Sequence, residues 1–239
     1  MQIRNAFTTW RSWRNYGLAL LVSVPLAWGL RTLVASYLPP DLATAANRYV
    51  REHKEGPLTE PLPQLLSDGD FVPQATEDHP LVGHSAPDFT LLDDRRVAVN
   101  LSALQEQGPV VIVFYYGYFC SHCVAQLFGL NEDLARFEEL GAQVLAISAD
   151  PPDLTAKRFA EFGRFGYTVV SDPGNKVAEM YQVFVPPSDG DEGVLKHATF
   201  LVGKDGRVFW AQTGNAPFLD NKTLLFELAR ECATSARSP

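Results

Sequence analysis

The chain has 239 residues, 46% of them hydrophobic and 20% charged, which suits one domain with extras or two small domains around a real core. Three cysteines are too few for a disulfide-stapled scaffold. The net charge of −8 conceals an asymmetry: residues 1–40 hold Arg4, Arg11, Arg14 and Arg31 and no acid, whereas the rest sets 16 basic against 28 acidic side chains, a body too acidic for a nucleic-acid partner.

Residues 1–15 are basic. From Tyr16 to Leu38 the chain is free of charge apart from Arg31 and mostly apolar, a stretch of 23 residues. As a helix it spans about 34 Å, against a bilayer core of about 30 Å. Arg31 lies off centre, where a long side chain reaches the interface. Trp10, Trp13 and Tyr16 precede the run and Tyr37 closes it, as interfacial aromatics do. The arginines before it keep that side in the cytoplasm. A transmembrane anchor is therefore expected over 16–38, with residues 1–15 cytoplasmic and the rest of the chain on the outer, periplasm-like side of a cell membrane. The same residues admit two other readings. One is a cleaved signal peptide with Leu18 to Leu30 as its apolar core and Val34-Ala35-Ser36 as the cut site. The other is a buried core helix.

Residues 39–81 are punctuated by Pro39, Pro40, Pro57, Pro61, Pro63, Pro73 and Pro80. They read as a linker: an extended tether with one short helix, about 41–54, starting on Asp41 as N-cap.

From residue 82 to 239 strand and helix signals alternate. Residues 89–92 and 97–99 are short strands. Val110 to Tyr116 (VVIVFYY) is a continuous apolar run suited to a buried central strand. Ser121 to Leu140 follows with helical periodicity, carrying Val124, Leu127, Leu130, Leu134 and Phe137 on one face and ending at Gly141. Strand, helix, strand and helix follow over 144–148, 155–165, 167–170 and 174–181. A hairpin over 197–202 and 207–211 turns at Lys204-Asp205-Gly206, and a helix over 221–232 closes the order. The pattern predicts an α/β fold, a mixed central sheet with helices on both faces.

Within this order Cys120-Ser121-His122-Cys123 falls just after the central strand, at the start of a helix. The unpaired N–H groups and dipole there stabilise a thiolate. His122 adds a positive charge when protonated, which makes a disulfide more oxidising. The pair is thus expected to be a redox-active dithiol. Two other readings exist. A structural zinc site needs four ligands, with only His84, His122, His197 and Cys232 to spare. The cysteines could also be inert and buried. Cys232 is a candidate third redox thiol. Tyr115, Tyr116 and Tyr118 either shape a pocket or belong to the core.

Gly83-His84-Ser85-Ala86-Pro87-Asp88-Phe89-Thr90-Leu91 resembles the opening of the AhpC/TSA redoxin group, and residues 114–127, FYYGYFCSHCVAQL, are similar to the signature of its peroxiredoxin-like branch. GAQVLAISADPPD, VVSDPGNKVAEMY and ATFLVGKDGRV extend the likeness over about 82–232. The resemblance implies a thioredoxin-like fold and oxidoreductase chemistry of an antioxidant kind, needing no cofactor. Peroxiredoxins carry F-Y-P-x-x-x-T-x-x-C; counted from Phe114, Cys123 takes the peroxidatic place, but Tyr116 replaces the proline and Cys120 the threonine. The arginine that usually precedes A-T-F is His197, and the cis-proline position of thioredoxins is Ala198. The resemblance therefore implies dithiol–disulfide exchange with a protein partner, with Cys120 attacking, Cys123 resolving and His122 tuning, beside a pocket of Tyr116, Tyr118, His197 and Ala198. With a peroxide substrate the cysteine roles reverse. Residues 117–123, GYFCSHC, also resemble Sco-type copper chaperones, which would make Cys120, Cys123 and His197 copper ligands.

Overall fold

The computed structural model describes residues 41–53, 58–119, 121–187 and 193–235. Among these no helix is long and apolar enough to cross a membrane. The anchor expected over 16–38 lies outside them, as does Cys120.

In chain order the elements are α1 (Leu42–His53), α2 (Leu62–Leu66), β1 (Thr90–Asp93), β2 (Ala98–Asn100), α3 (Leu101–Gln105), β3 (Val110–Phe114), α4 (Ser121–Glu132) and α5 (Leu134–Glu139). Then come β4 (Gln143–Ser148), α6 (Pro152–Phe162), β5 (Thr168–Ser171), α7 (Lys176–Met180), β6 (Phe184–Val185), β7 (Val194–Leu195), β8 (His197–Val202), β9 (Val208–Gly214) and α8 (Asn221–Ser235). Seven strands form one mixed sheet in the order β2-β1-β5-β4-β3-β8-β9. The β3–β4 and β4–β5 pairs are parallel; β3–β8, β8–β9, β1–β5 and β1–β2 are antiparallel. The small hairpin β6–β7 stands apart from it.

The period-2 alternation of strands divides the core in two. On β3, Val111 and Val113, with Tyr115 just beyond, face one side with α1, α4 and α8, through Ala46, Leu127, Leu130 and Leu224. Val110, Ile112 and Phe114 face the other, with Leu101 of α3, Val177 of α7 and Tyr181. All five residues of β3 are buried, as its unbroken apolar run predicts.

The helix expected over 121–140 is broken at Asp133. Its carboxylate accepts from the Leu58 N–H (2.8 Å) and from Asn221 Nδ2 (2.7 Å), so the residue serves tertiary partners at the α4–α5 joint. Residues 58–81, expected as an extended tether, lie against the domain. Arg136 donates to the Glu60 carbonyl, Trp210 Nε1 donates to the Gln74 carbonyl (3.0 Å), and the Glu77 carboxylate accepts from the N–H and hydroxyl of Thr213. Backbone polar groups need such partners, which this proline-rich strip supplies here from outside its one short helix, α2.

Candidate active site at the β3–α4 junction

β3 stops at Phe114 rather than Tyr116, although the Tyr115 N–H still reaches the Ile147 carbonyl (3.0 Å). The cause is Gly117. Its φ is +129°, and a Cβ there would lie 2.8 Å from both carboxylate oxygens of Asp150. Glycine alone fits that turn without strain. The Asp150 carboxylate accepts from the Tyr118 N–H at 2.8 Å, tying the loop before the cysteines to the end of β4. Burial pushes the Asp150 carboxyl above its usual range, against the Tyr118 N–H and the Arg158 charge, which hold it down.

The chain surfaces at Phe119, which is 76% exposed, and dives again at Cys123, which is 4% exposed in the first turn of α4. One turn further, Gln126 is buried and its Nε2 donates to Thr199 Oγ1 (2.7 Å) on β8. Cys123 precedes Gln126 by three residues on the helix, and His197 precedes Thr199 by two on the strand. Both pairs keep a common face, so Cys123 and His197 lie at the same end of the α4–β8 contact. Tyr116 joins them, its ring 4.5 Å from that of His197 between centroids.

His197 is buried, at 2% exposure, and among the described residues its Nδ1 finds no hydrogen-bond partner. Burial lowers its pKa to about 4, so at neutral pH the imidazole is uncharged. With Ala198, Thr199, Gln212 and Phe218 it lines a cleft of about 270 Å³.

The structure therefore brings Tyr116 to His197 and places Cys123 at the same end of the α4–β8 contact, with Ala198 next to His197 on β8. Tyr118 goes elsewhere: it is buried in the core, edge-on to Tyr115 (5.8 Å) and beside Phe159 and Phe162. Asp150 holds its backbone in the orientation that points the ring inward. His122 is exposed on α4 and meets Tyr49 of α1. Cys232 lies half-buried on α8, its Sγ 4.0 Å from the Leu140 carbonyl oxygen; burial and Glu231 push the thiol up, away from the reactive thiolate. The described residues hold no cluster of three or more His, Cys, Asp or Glu side chains placed for a metal ion, and Cys120, which the copper reading needs, lies outside them. Sequence reasoning missed Asp150, Gln126 and Tyr49. Asp150 had a signal in the polar Ser148–Asp150 stretch closing a buried strand; Tyr49 is separated from the cysteines by some seventy residues and had none.

A parallel β3–α4–β4 unit, antiparallel β8 beside β3 and Cys123 in the first turn of the helix that follows β3 define a thioredoxin-like redoxin. The AhpC/TSA family pattern matches residues 82–211, and the chain belongs to that family. Alkyl hydroperoxide reductase E of Mycobacterium tuberculosis is 33% identical over 133 residues, 55% of this chain and 84% of that protein. Thiol-disulfide oxidoreductase ResA of Bacillus anthracis is 28% identical over 127 residues, 53% of this chain and 66% of that protein. The crystal structure of peroxidoxin BcpB from Mycobacterium tuberculosis is similar with a TM-score of 0.57 and 27% identity, over 67% of this chain and 100% of that one. Its relatives are thus oxidoreductases of both the peroxiredoxin and the thiol–disulfide type.

Proposed function

We propose that this protein exchanges thiols and disulfides through the Cys120–Cys123 pair. The observation that carries this choice is the pairing of Tyr116 with the buried, uncharged His197. These are the positions at which peroxiredoxins carry a proline and an arginine. Here they hold a bulky ring and an uncharged imidazole, which offer no cation to polarise a peroxide. Exchange needs only the two sulfurs.

The Cys120 thiolate attacks one sulfur of a partner protein's disulfide. The partner's S–S bond breaks, a mixed disulfide forms, and the departing partner thiolate takes a proton. Cys123 then loses its proton and attacks Cys120, closing the intramolecular disulfide and releasing the second partner thiol. The partner gains two electrons and two protons; the pair supplies both electrons, and the protons are the one Cys123 loses and the one Cys120 gave up on forming its thiolate. The reverse sequence oxidises a partner dithiol. Burial of Cys123 in the first turn of α4 supports its resolving role, since a protein disulfide reaches only an exposed attacker.

A second reading rests on the place of Cys123, which matches the peroxidatic cysteine when counted from Phe114, and on the likeness to alkyl hydroperoxide reductase E. In it the Cys123 thiolate takes one oxygen from a hydroperoxide to become a sulfenic acid, an alcohol or water leaves, and Cys120 condenses with it to release water. One pair of measurements separates the two. Equilibration in glutathione buffers should show one two-electron transition, and stopped-flow mixing with hydrogen peroxide should show oxidation no faster than that of free cysteine. Peroxide oxidation orders of magnitude faster moves the function to the second reading, and the lack of any transition overturns exchange.

The apolar stretch 16–38, its flanking arginines and its aromatic borders support a tether that places the redoxin domain outside the cytoplasm. In cells making the full chain, the domain should sediment with membranes and be cut by protease added from outside. A soluble or protease-protected domain overturns the tether.

A further inference from the structure

The family match begins at residue 82, yet a helix well before it packs on the redox helix. Leu42, Ala46 and Val50 turn inward from α1 at helical spacing, Ala46 and Val50 being fully buried. That burial fixes the rotation of α1 about its own axis. With the rotation fixed, Tyr49 is delivered to His122, with ring centroids 4.4 Å apart and planes at 31°. His53, one turn on, stacks on the Tyr49 ring at 3.9 Å and 18°, and its Nδ1 lies 3.0 Å from the Tyr49 carbonyl oxygen.

His122 occupies one of the two positions between the cysteines, the place from which a side chain acts on the thiolate of the reduced form. Its side chain is exposed, so without a neighbour it would populate several rotamers and average its field over them. Tyr49 is half-buried and carried by a helix locked into the core, so it is a rigid surface for that ring.

We infer that Tyr49 is a positioning residue of the redox site: by holding the His122 imidazole in one orientation at the start of α4, it sets the reduction potential of the Cys120–Cys123 pair. The N-terminal extension is then part of the active site rather than a spacer. The inference rests on the exchange reading above. An imidazole held beside the thiolate favours the reduced form, so releasing it shifts the pair toward the disulfide.

The test uses the full chain and glutathione redox buffers, reading the equilibrium constant for disulfide formation. Tyr49→Ala should raise that constant by about threefold or more, equivalent to about 14 mV. Tyr49→Phe, which keeps the ring, should match the wild type. In a His122→Ala background Tyr49→Ala should change nothing further. If Tyr49→Ala does not fold, Tyr49→Leu keeps the apolar bulk on α1 and removes the aromatic face, with the same shift expected. An unshifted constant overturns the inference, as does an equal shift with His122 absent, which would mark a general packing effect. A wild-type protein that forms no disulfide at all overturns the exchange reading instead, and the inference with it.

Discussion

Changing Cys123 to serine should trap the protein on its partner. Cys120 keeps its attack, but no second thiol is present to release the mixed disulfide, so a covalent adduct accumulates and turnover falls on the order of 10³-fold or more. The expectation follows from where the chain surfaces. Phe119 is exposed and Cys123 is buried four residues later, so Cys123 itself is closed to a protein disulfide. Cys120→Ser should lose turnover equally and form no adduct, because the remaining thiol is out of reach of a protein disulfide. Non-reducing electrophoresis with mass analysis of the adduct reads both variants. The peroxidase reading inverts the pattern. There Cys123→Ser abolishes reaction with peroxide outright, and Cys120→Ser leaves the sulfenic-acid step intact and blocks only its resolution. An adduct formed by Cys120→Ser but not by Cys123→Ser would reverse the assigned roles.

The parts of this fold that were legible in the sequence are those where one period dominates. β3 is an unbroken apolar run because helices cover both faces of a central strand, and the signal survives in five consecutive buried residues. Its end was misplaced by two residues because Tyr115 and Tyr116 continue the composition while Gly117 ends the geometry. The break between α4 and α5 was invisible because Asp133 fits a helix surface pattern; only the fold reveals that Leu58 and Asn221 converge on its carboxylate. α3 escaped notice for want of length, although Asn100 was a ready N-cap and accepts from the Ala103 N–H. The site divides in the same way. The position of Cys123 at a helix start could be read from spacing. The meeting of Tyr116 with His197 depends on β8 lying antiparallel to β3, with Phe114 opposite Ala198, a register that local sequence does not encode. Tyr49 was hidden for a further reason. Proline-rich stretches on either side of α1 suggest a tether, whereas its inward stripe of Leu42, Ala46 and Val50 required a surface to cover it.

His197 gives the same neighbourhood a measurable pH signature. Its imidazole is held neutral by burial, with a pKa of about 4 against an ordinary 6.5. Well above pH 6.5 neither the folded nor the unfolded chain protonates it, and it contributes no pH dependence. As pH falls below 6.5 the unfolded chain takes up a proton that the folded protein refuses, so stability declines until the folded pKa is passed near 4, where the loss levels off. Linkage puts the loss on the order of 1 kcal/mol by pH 5.5 and about 2–3 kcal/mol by pH 4.5. Carboxylates titrate over the lower part of this window too, so the informative quantity is a difference between proteins. His197→Leu removes the titration, keeps the volume close and leaves no unpaired ring nitrogen, and should lie within about 1 kcal/mol of the wild type at pH 7. Urea unfolding of both reduced proteins at pH 7, 5.5 and 4.5 reads the effect, with the variant gaining on the wild type at each acid step. Parallel curves would mean that the folded imidazole takes up its proton as readily as the unfolded one, and that burial does not hold the ring neutral.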